Sequence, residues 1–171
     1  MSNDYSEDNL IEQTTMNLLA GLGWETANVF QNESFGASGT IGRDNQEQVI
    51  LKHHFIKAIK KLNPNLPEEV YTQAYEQISK SEASKTLADI NQEKYKLLKR
   101  GIPVTYKNQK GELIKEKKIQ VLNFNQPQDN HFLAVQQLWV KGVSGRKRRP
   151  DIVGFVNGLP LVFVELKAEF V

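Results

Sequence analysis

Residues 149–167 read RPDIVGFVNGLPLVFVELK. Two apolar runs, Ile152–Val156 and Leu161–Leu166, flank Asn157–Gly158. Asn-Gly is the dipeptide that best suits a two-residue hairpin, because both central residues of a type I′ turn need positive φ. The stretch therefore reads as a β-hairpin carrying charge at its open end. Asp151 begins one strand, and Glu165 and Lys167 stand near the end of the other. Glu165 and Lys167 are two apart, so they share a face.

Charged groups at the end of an apolar strand are costly unless paired or metal-bound. Two neighbouring carboxylates also repel unless a cation joins them. A hard divalent ion answers both problems, and Mg²⁺ prefers one or two carboxylates plus waters and phosphate oxygens. Lys167 then stands where it stabilises a pentavalent phosphate or positions the attacking water. The competing reading is a solvated strand edge, or a plain Asp–Glu–Lys ion cluster. Register discriminates between them. A regular two-residue loop pairs Val156 with Leu159 and hence Asp151 with Val164, which points Glu165 away from Asp151. Convergence needs one extra residue, as a longer loop or a bulge, and the expected place is near Gly158–Pro160. Pro160 has no N–H to give to a ladder.

The bulk properties set the frame. The chain has 171 residues, 39% hydrophobic and 25% charged, which suits one globular domain with a real core. A net charge of only +2 excludes a protein that coats DNA by total charge, though not a local basic patch. With no cysteine there are no disulfides or thiolate zinc sites, as befits a reducing cytoplasm. No apolar run is long enough for a membrane helix, and the acidic start, MSNDYSEDNLIEQ, is unlike a signal peptide. No membrane partner is expected, and the predicted location is cytoplasmic. The chain stops at Val171, just after its most apolar strand, as a piece of a longer protein does.

Periodicity predicts a helix over about 6–22 with Ser6 as its cap, and a short strand over 24–30. A loop follows at 31–44, and a second helix at about 45–62. Pro67 opens a third helix; Ser81 caps a fourth, with Leu87, Ile90, Leu97 and Leu98 inward, which ends at Lys99–Arg100–Gly101. Strands follow at 102–107, 113–124 and 132–140, then a basic loop at 141–149 and the final hairpin. The fold class is α+β, a mixed sheet with flanking helices and a helical insert at about 45–100.

Pro150–Asp151 followed by Glu165–Leu166–Lys167 resembles the PD-(D/E)xK nuclease motif. The whole phrase RPDIVGFVNGLPLVFVELK resembles the N-terminal nuclease region of type I restriction enzyme R subunits (HsdR). So do Glu7–Gln13, Leu22–Gly23–Trp24–Glu25, Leu62–Asn63–Pro64, Leu98–Lys99–Arg100–Gly101 and Asn130–His131–Phe132, so the resemblance covers nearly the whole chain. It implies a truncated restriction-endonuclease-like core forming a single nuclease domain fragment over 1–171. It also implies cleavage of double-stranded DNA by a type I site-specific deoxyribonuclease. Asp151, Glu165 and the backbone carbonyl of Leu166 would hold Mg²⁺, with Mn²⁺ as a substitute. Lys167 would serve in water activation or phosphate stabilisation. Glu12 matches the acid that many such nucleases carry on their first core helix, and it shares a helical stripe with Met16 and Leu19. Modification and specificity subunits are the implied partners, and ATP enters only through motor domains. This chain has no G-x-x-x-x-G-K-[ST] loop. The core's next helix, with its Gln-x-x-x-Tyr motif, and its last strand are also absent, so the isolated fragment is expected to be a weak or inactive nuclease.

Lys141, Arg146, Lys147, Arg148 and Arg149 form the one basic cluster, immediately before Asp151. It reads as a clamp on DNA phosphates, against the commoner reading of a solvated loop. His53, His54 and His131 have no metal-ligand spacing. Two alternatives to the restriction-subunit reading are a non-catalytic DNA- or subunit-docking module and a stand-alone PD-(D/E)xK repair nuclease.

Overall fold

The Asn157–Gly158 turn forms as the sequence predicts, with φ of 52° and 76° at its two central residues, and it joins β7 (Ile152–Val156) to β8 (Leu159–Val164). The computed structural model describes residues 7–80, 84–142 and 144–167; the predicted caps Ser6 and Ser81 lie outside them. The turn is anchored from two sides. Asn157 Oδ1 accepts the N–H of His131 at 2.7 Å, and the Gly158 carbonyl accepts the N–H of Leu51 at 2.9 Å.

The chain forms two compact units, one of residues 1–53 with 131–171 and the other of residues 54–130. The first holds α1 (Glu7–Gly21), β1 (Glu25–Asn28), β4 (Phe132–Gln136), β7 and β8, with a small hairpin of β5 (Val140–Lys141) and β6 (Lys147–Arg148). Its four-stranded sheet runs β1-β4-β7-β8. β1 is parallel to β4, and the other two pairings are antiparallel, so the sheet is mixed and the architecture α+β, as expected.

Alternation along these strands divides the apolar residues between two layers. Met16 of α1 buries against Ala134 and Ile152, with Leu19, Trp24, Val164 and Leu166 partly buried beside them. The other cluster gathers Leu133, Val135, Val153 and Phe155 with Val29, Ile41, Leu51 and Leu138. Gly154 is required in β7 because a Cβ there would stand 2.9 Å from the Trp24 ring. That indole lies over the strand and packs on Phe132 with ring centroids 5.1 Å apart.

The second unit contains nearly all of α2 (Lys52–Leu62), and then α3 (Glu68–Ser79), α4 (Leu87–Arg100), β2 (Ile102–Lys107) and β3 (Leu113–Ile119). Three expectations change here. First, the separate unit runs past the predicted insert of about 45–100 and includes the β2–β3 hairpin. The reason is burial: α3 packs on β2, Ile102, Val104 and Ile119 are at most 2% exposed, and Gln77 donates to the Pro103 carbonyl at 2.8 Å. Second, residues 45–51 are not helical. The Leu51 N–H goes to the Gly158 carbonyl and the Gln46 carbonyl accepts the Lys141 N–H, both at 2.9 Å, so long-range partners take the groups a helix would pair. Third, α4 buries no residue and leaves Leu87 80% exposed. Its cap is Thr86, whose side chain accepts from the Asp89 N–H. Among the described residues no helix is long and apolar enough to cross a membrane.

Candidate active site

The β7–β8 ladder is regular next to the turn, with Val156 opposite Leu159 and Phe155 opposite Pro160. It then shifts by one, and Gly154 faces Val162, Val153 faces Phe163 and Ile152 faces Val164. Leu161 is the extra residue, a bulge just beyond the stretch 158–160 where the sequence places it. Carried one step past Ile152 and Val164, the shifted register sets Asp151 level with Glu165. An unbulged hairpin would have set it level with Val164.

A hydrogen bond fixes this end of the hairpin. Oδ2 of Asp151 accepts the backbone N–H of Leu166 at 2.7 Å. Asp151 is half-buried, while Glu165 and Lys167 are exposed beyond the end of β8. Leu166 is partly buried against the Met16 cluster, so its backbone is held by packing as well.

Glu12 is 5% exposed. Its two carboxylate oxygens accept the side-chain amides of Gln136 at 2.7 Å and Gln137 at 2.6 Å. Gln137 also donates its backbone N–H to the Asp151 carbonyl at 2.8 Å. Glu12 on α1 and Asp151 on β7 thus share one intermediary. The two glutamines are absent from the sequence-based site. The available signal was polar residues closing the apolar run of β4, which alternation alone reads as a strand continuing to Val140. Instead Gln137 takes a φ of +58° and ends the strand.

The basic cluster is divided by the fold. The predicted loop is partly a hairpin, with Val140 opposite Arg148 and Lys141 opposite Lys147. Lys141 pairs with Glu47 at 2.9 Å. The Arg149 guanidinium stands 5.0 Å from the Phe30 ring centroid and 5.1 Å from that of Trp139, a cation–π arrangement. Arg146, Lys147, Arg148 and Arg149 are all exposed, and of these four Arg149 is the one stacked on aromatic rings. Arg43, without pattern in the sequence, is fully buried. It donates to Glu33 and, at 2.7 Å, to the Trp139 carbonyl, and so braces the ring that Arg149 packs on.

The donor set can be weighed for a metal. Among the described residues no three His, Asp or Glu side chains are grouped to hold an ion, so a cage built wholly of protein side chains does not fit. A site for Mg²⁺ needs less, since that ion keeps most of its waters. Asp151, Glu165 and the Leu166 carbonyl are oxygen donors of the type that ion takes. The buried Gln137 Oε1, which accepts no hydrogen bond in the structure, is a further acceptor suited to a metal-bound water.

Comparison with known proteins places the chain in a family. Residues 4–171 match the family described as the type I restriction enzyme R protein N terminus. The chain belongs to that family. It is 39% identical over 163 residues to the type I restriction enzyme HindI endonuclease subunit of Haemophilus influenzae, covering 94% of this chain and 15% of that protein. It is 30% identical over 168 residues to a putative type I restriction enzyme MjaIXP endonuclease subunit of Methanocaldococcus jannaschii, covering 95% of this chain and 15% of that protein.

Proposed function

We propose that this chain is the DNA-cleaving part of a type I restriction R subunit, a Mg²⁺-dependent endonuclease that hydrolyses phosphodiesters of double-stranded DNA on a PD-(D/E)xK core. The observation that carries the reading is the Leu161 bulge, whose shifted register, carried one step past its last ladder pair, brings Asp151 level with Glu165. In this reading Asp151, Glu165 and the Leu166 carbonyl hold the metal, and Glu12 supports the site from α1. Leu166 acts twice, since its N–H orients the Asp151 carboxylate and its carbonyl is a ligand. The metal, when bound, supplies Lewis-acid stabilisation of the phosphate and lowers the pKa of a water. The Lys167 ammonium stabilises charge on the pentavalent phosphate or positions the attacking water. ATP and the modification and specificity subunits belong to the full-length assembly.

Arg146, Lys147 and Arg148 are the side chains proposed to grip DNA phosphates; Lys141 and Arg149 are held mainly by their protein partners. Replacing those three by Ala is expected to weaken binding to any duplex sequence alike. The salt slope, log Kd against log salt, should fall by about 0.9 for each contact removed. An unchanged slope removes them from the interface.

The absence of a three-acid group among the described residues favours a second reading, a DNA- or subunit-docking module whose acids form only local bonds. Calorimetric titration of this chain with Mn²⁺ separates the two. Asp151→Ala is expected to weaken binding by at least about 100-fold, more than the loss from a supporting residue. Equal binding by both proteins rules out the metal role and leaves the docking reading.

A further inference from the structure

We propose that Gln137 is a positioning residue, which locks the Glu12 carboxylate of α1 to the Asp151 end of β7, with Gln136 as the second clamp. The inference rests on the metal-site reading above and extends it to two residues outside the motif.

A carboxylate as buried as Glu12, 5% exposed, needs a partner for its charge. Among the described residues no cationic side chain pairs with it, and its two oxygens take neutral amide N–H groups. Such donors fix orientation without cancelling charge. The carboxylate is therefore held in place while its attraction for a cation is kept. A purely structural tie is more simply made with Lys or Arg.

The clamp is itself held. Gln136 Oε1 accepts from Asn28 Nδ2 at 3.0 Å, which leaves the amide N–H for Glu12. Gln137 is bound through its backbone to the Asp151 carbonyl, so one residue sets the separation of the two acids. Its φ of +58° is unusual for a residue other than Gly or Asn. Strained backbone of this kind persists where surrounding contacts over-determine it, often at functional sites. Finally, Gln137 is 8% exposed and its Oε1 accepts no hydrogen bond. Beside a carboxylate, that oxygen is matched to a donor from outside the protein, and a metal-bound water is one.

The test is a double-mutant cycle on this chain, read by Mn²⁺ calorimetry and by the electron paramagnetic resonance signal of bound Mn²⁺. Asn suits the left-handed backbone and keeps the amide, but it is one methylene too short to reach Glu12. Gln137→Asn should therefore lower the thermal midpoint of the metal-free chain, because a buried carboxylate oxygen loses its donor, while the chain still melts cooperatively, and weaken Mn²⁺ binding about tenfold. In the Glu12→Gln background the same change should weaken binding by less, because part of the effect of Gln137 runs through Glu12. Wild-type affinity in Gln137→Asn, or an equal loss in both backgrounds, overturns the inference. If Gln137→Asn does not melt cooperatively, Gln136→Met in the same cycle decides, with the same outcomes expected. Asp151→Ala is the control. If it too binds Mn²⁺ normally, the metal site itself is wrong; if it alone loses binding, only the role of Gln137 falls.

Discussion

Asp151→Ala in the full-length subunit, assembled with its modification and specificity subunits, is expected to lower DNA cleavage by at least about 10³-fold while ATP-driven translocation continues. Asp151 is the half-buried acid of the hairpin, and its carboxylate is oriented by the Leu166 N–H. On the proposed reading alanine removes a metal ligand, and it leaves that N–H without its acceptor. Rate is lost because the metal's Lewis acidity and its activated water are lost together. Translocation should persist, because on the proposed reading the motor lies outside residues 1–171. Gel analysis of plasmid cleavage beside a triplex-displacement assay of translocation reads both. Cleavage retained at wild-type rate refutes the catalytic role of Asp151.

Lys167→Ala is expected to differ in kind. Cleavage in the full-length subunit should fall by about 10²–10³-fold, the usual loss when one group that stabilises transition-state charge is removed. Mn²⁺ affinity of the present chain should stay unchanged, because an ammonium is not a ligand. Lys167 is exposed beyond the last ladder pair of β8, so its removal leaves no cavity and the fold should not suffer. A parallel loss of metal binding would show instead that Lys167 holds the hairpin end together, and would withdraw its chemical role.

Much of the first unit was legible because its signals are local. The Asn157–Gly158 turn follows from two residues that accept positive φ, and the strands of the hairpin follow from apolar runs with β-branched residues. The need for an extra residue was arithmetic on the register. The helical stripe of Glu12, Met16 and Leu19 left an inward acid and an exposed one both open, and burial decides between them, with Glu12 5% exposed.

What was misread depended on partners distant in sequence. Residues 45–51 have helix-compatible spacing, but the Leu51 N–H goes to the Gly158 carbonyl and the Gln46 carbonyl takes the Lys141 N–H. Leu87 fits an apolar stripe, yet nothing covers it in the second unit and it is 80% exposed. Lys141 and Arg149 resemble their neighbours Arg146–Arg148 in sequence. Only folding brings Glu47 to the first and the Phe30 and Trp139 rings to the second.

By itself, then, the sequence determined the candidate chemistry: which acids and which lysine, on which hairpin, in which family. Those depend on residue identity and on spacings of two to fourteen residues, which a chain carries before it folds. The tertiary structure alone decided where the bulge falls and which basic residues meet a protein partner. It also decided that Glu12 meets Gln136 and Gln137, contacts that span more than a hundred residues. The physical reason is that a buried carboxylate must find its donors wherever packing brings them, and no local pattern records which residues those are.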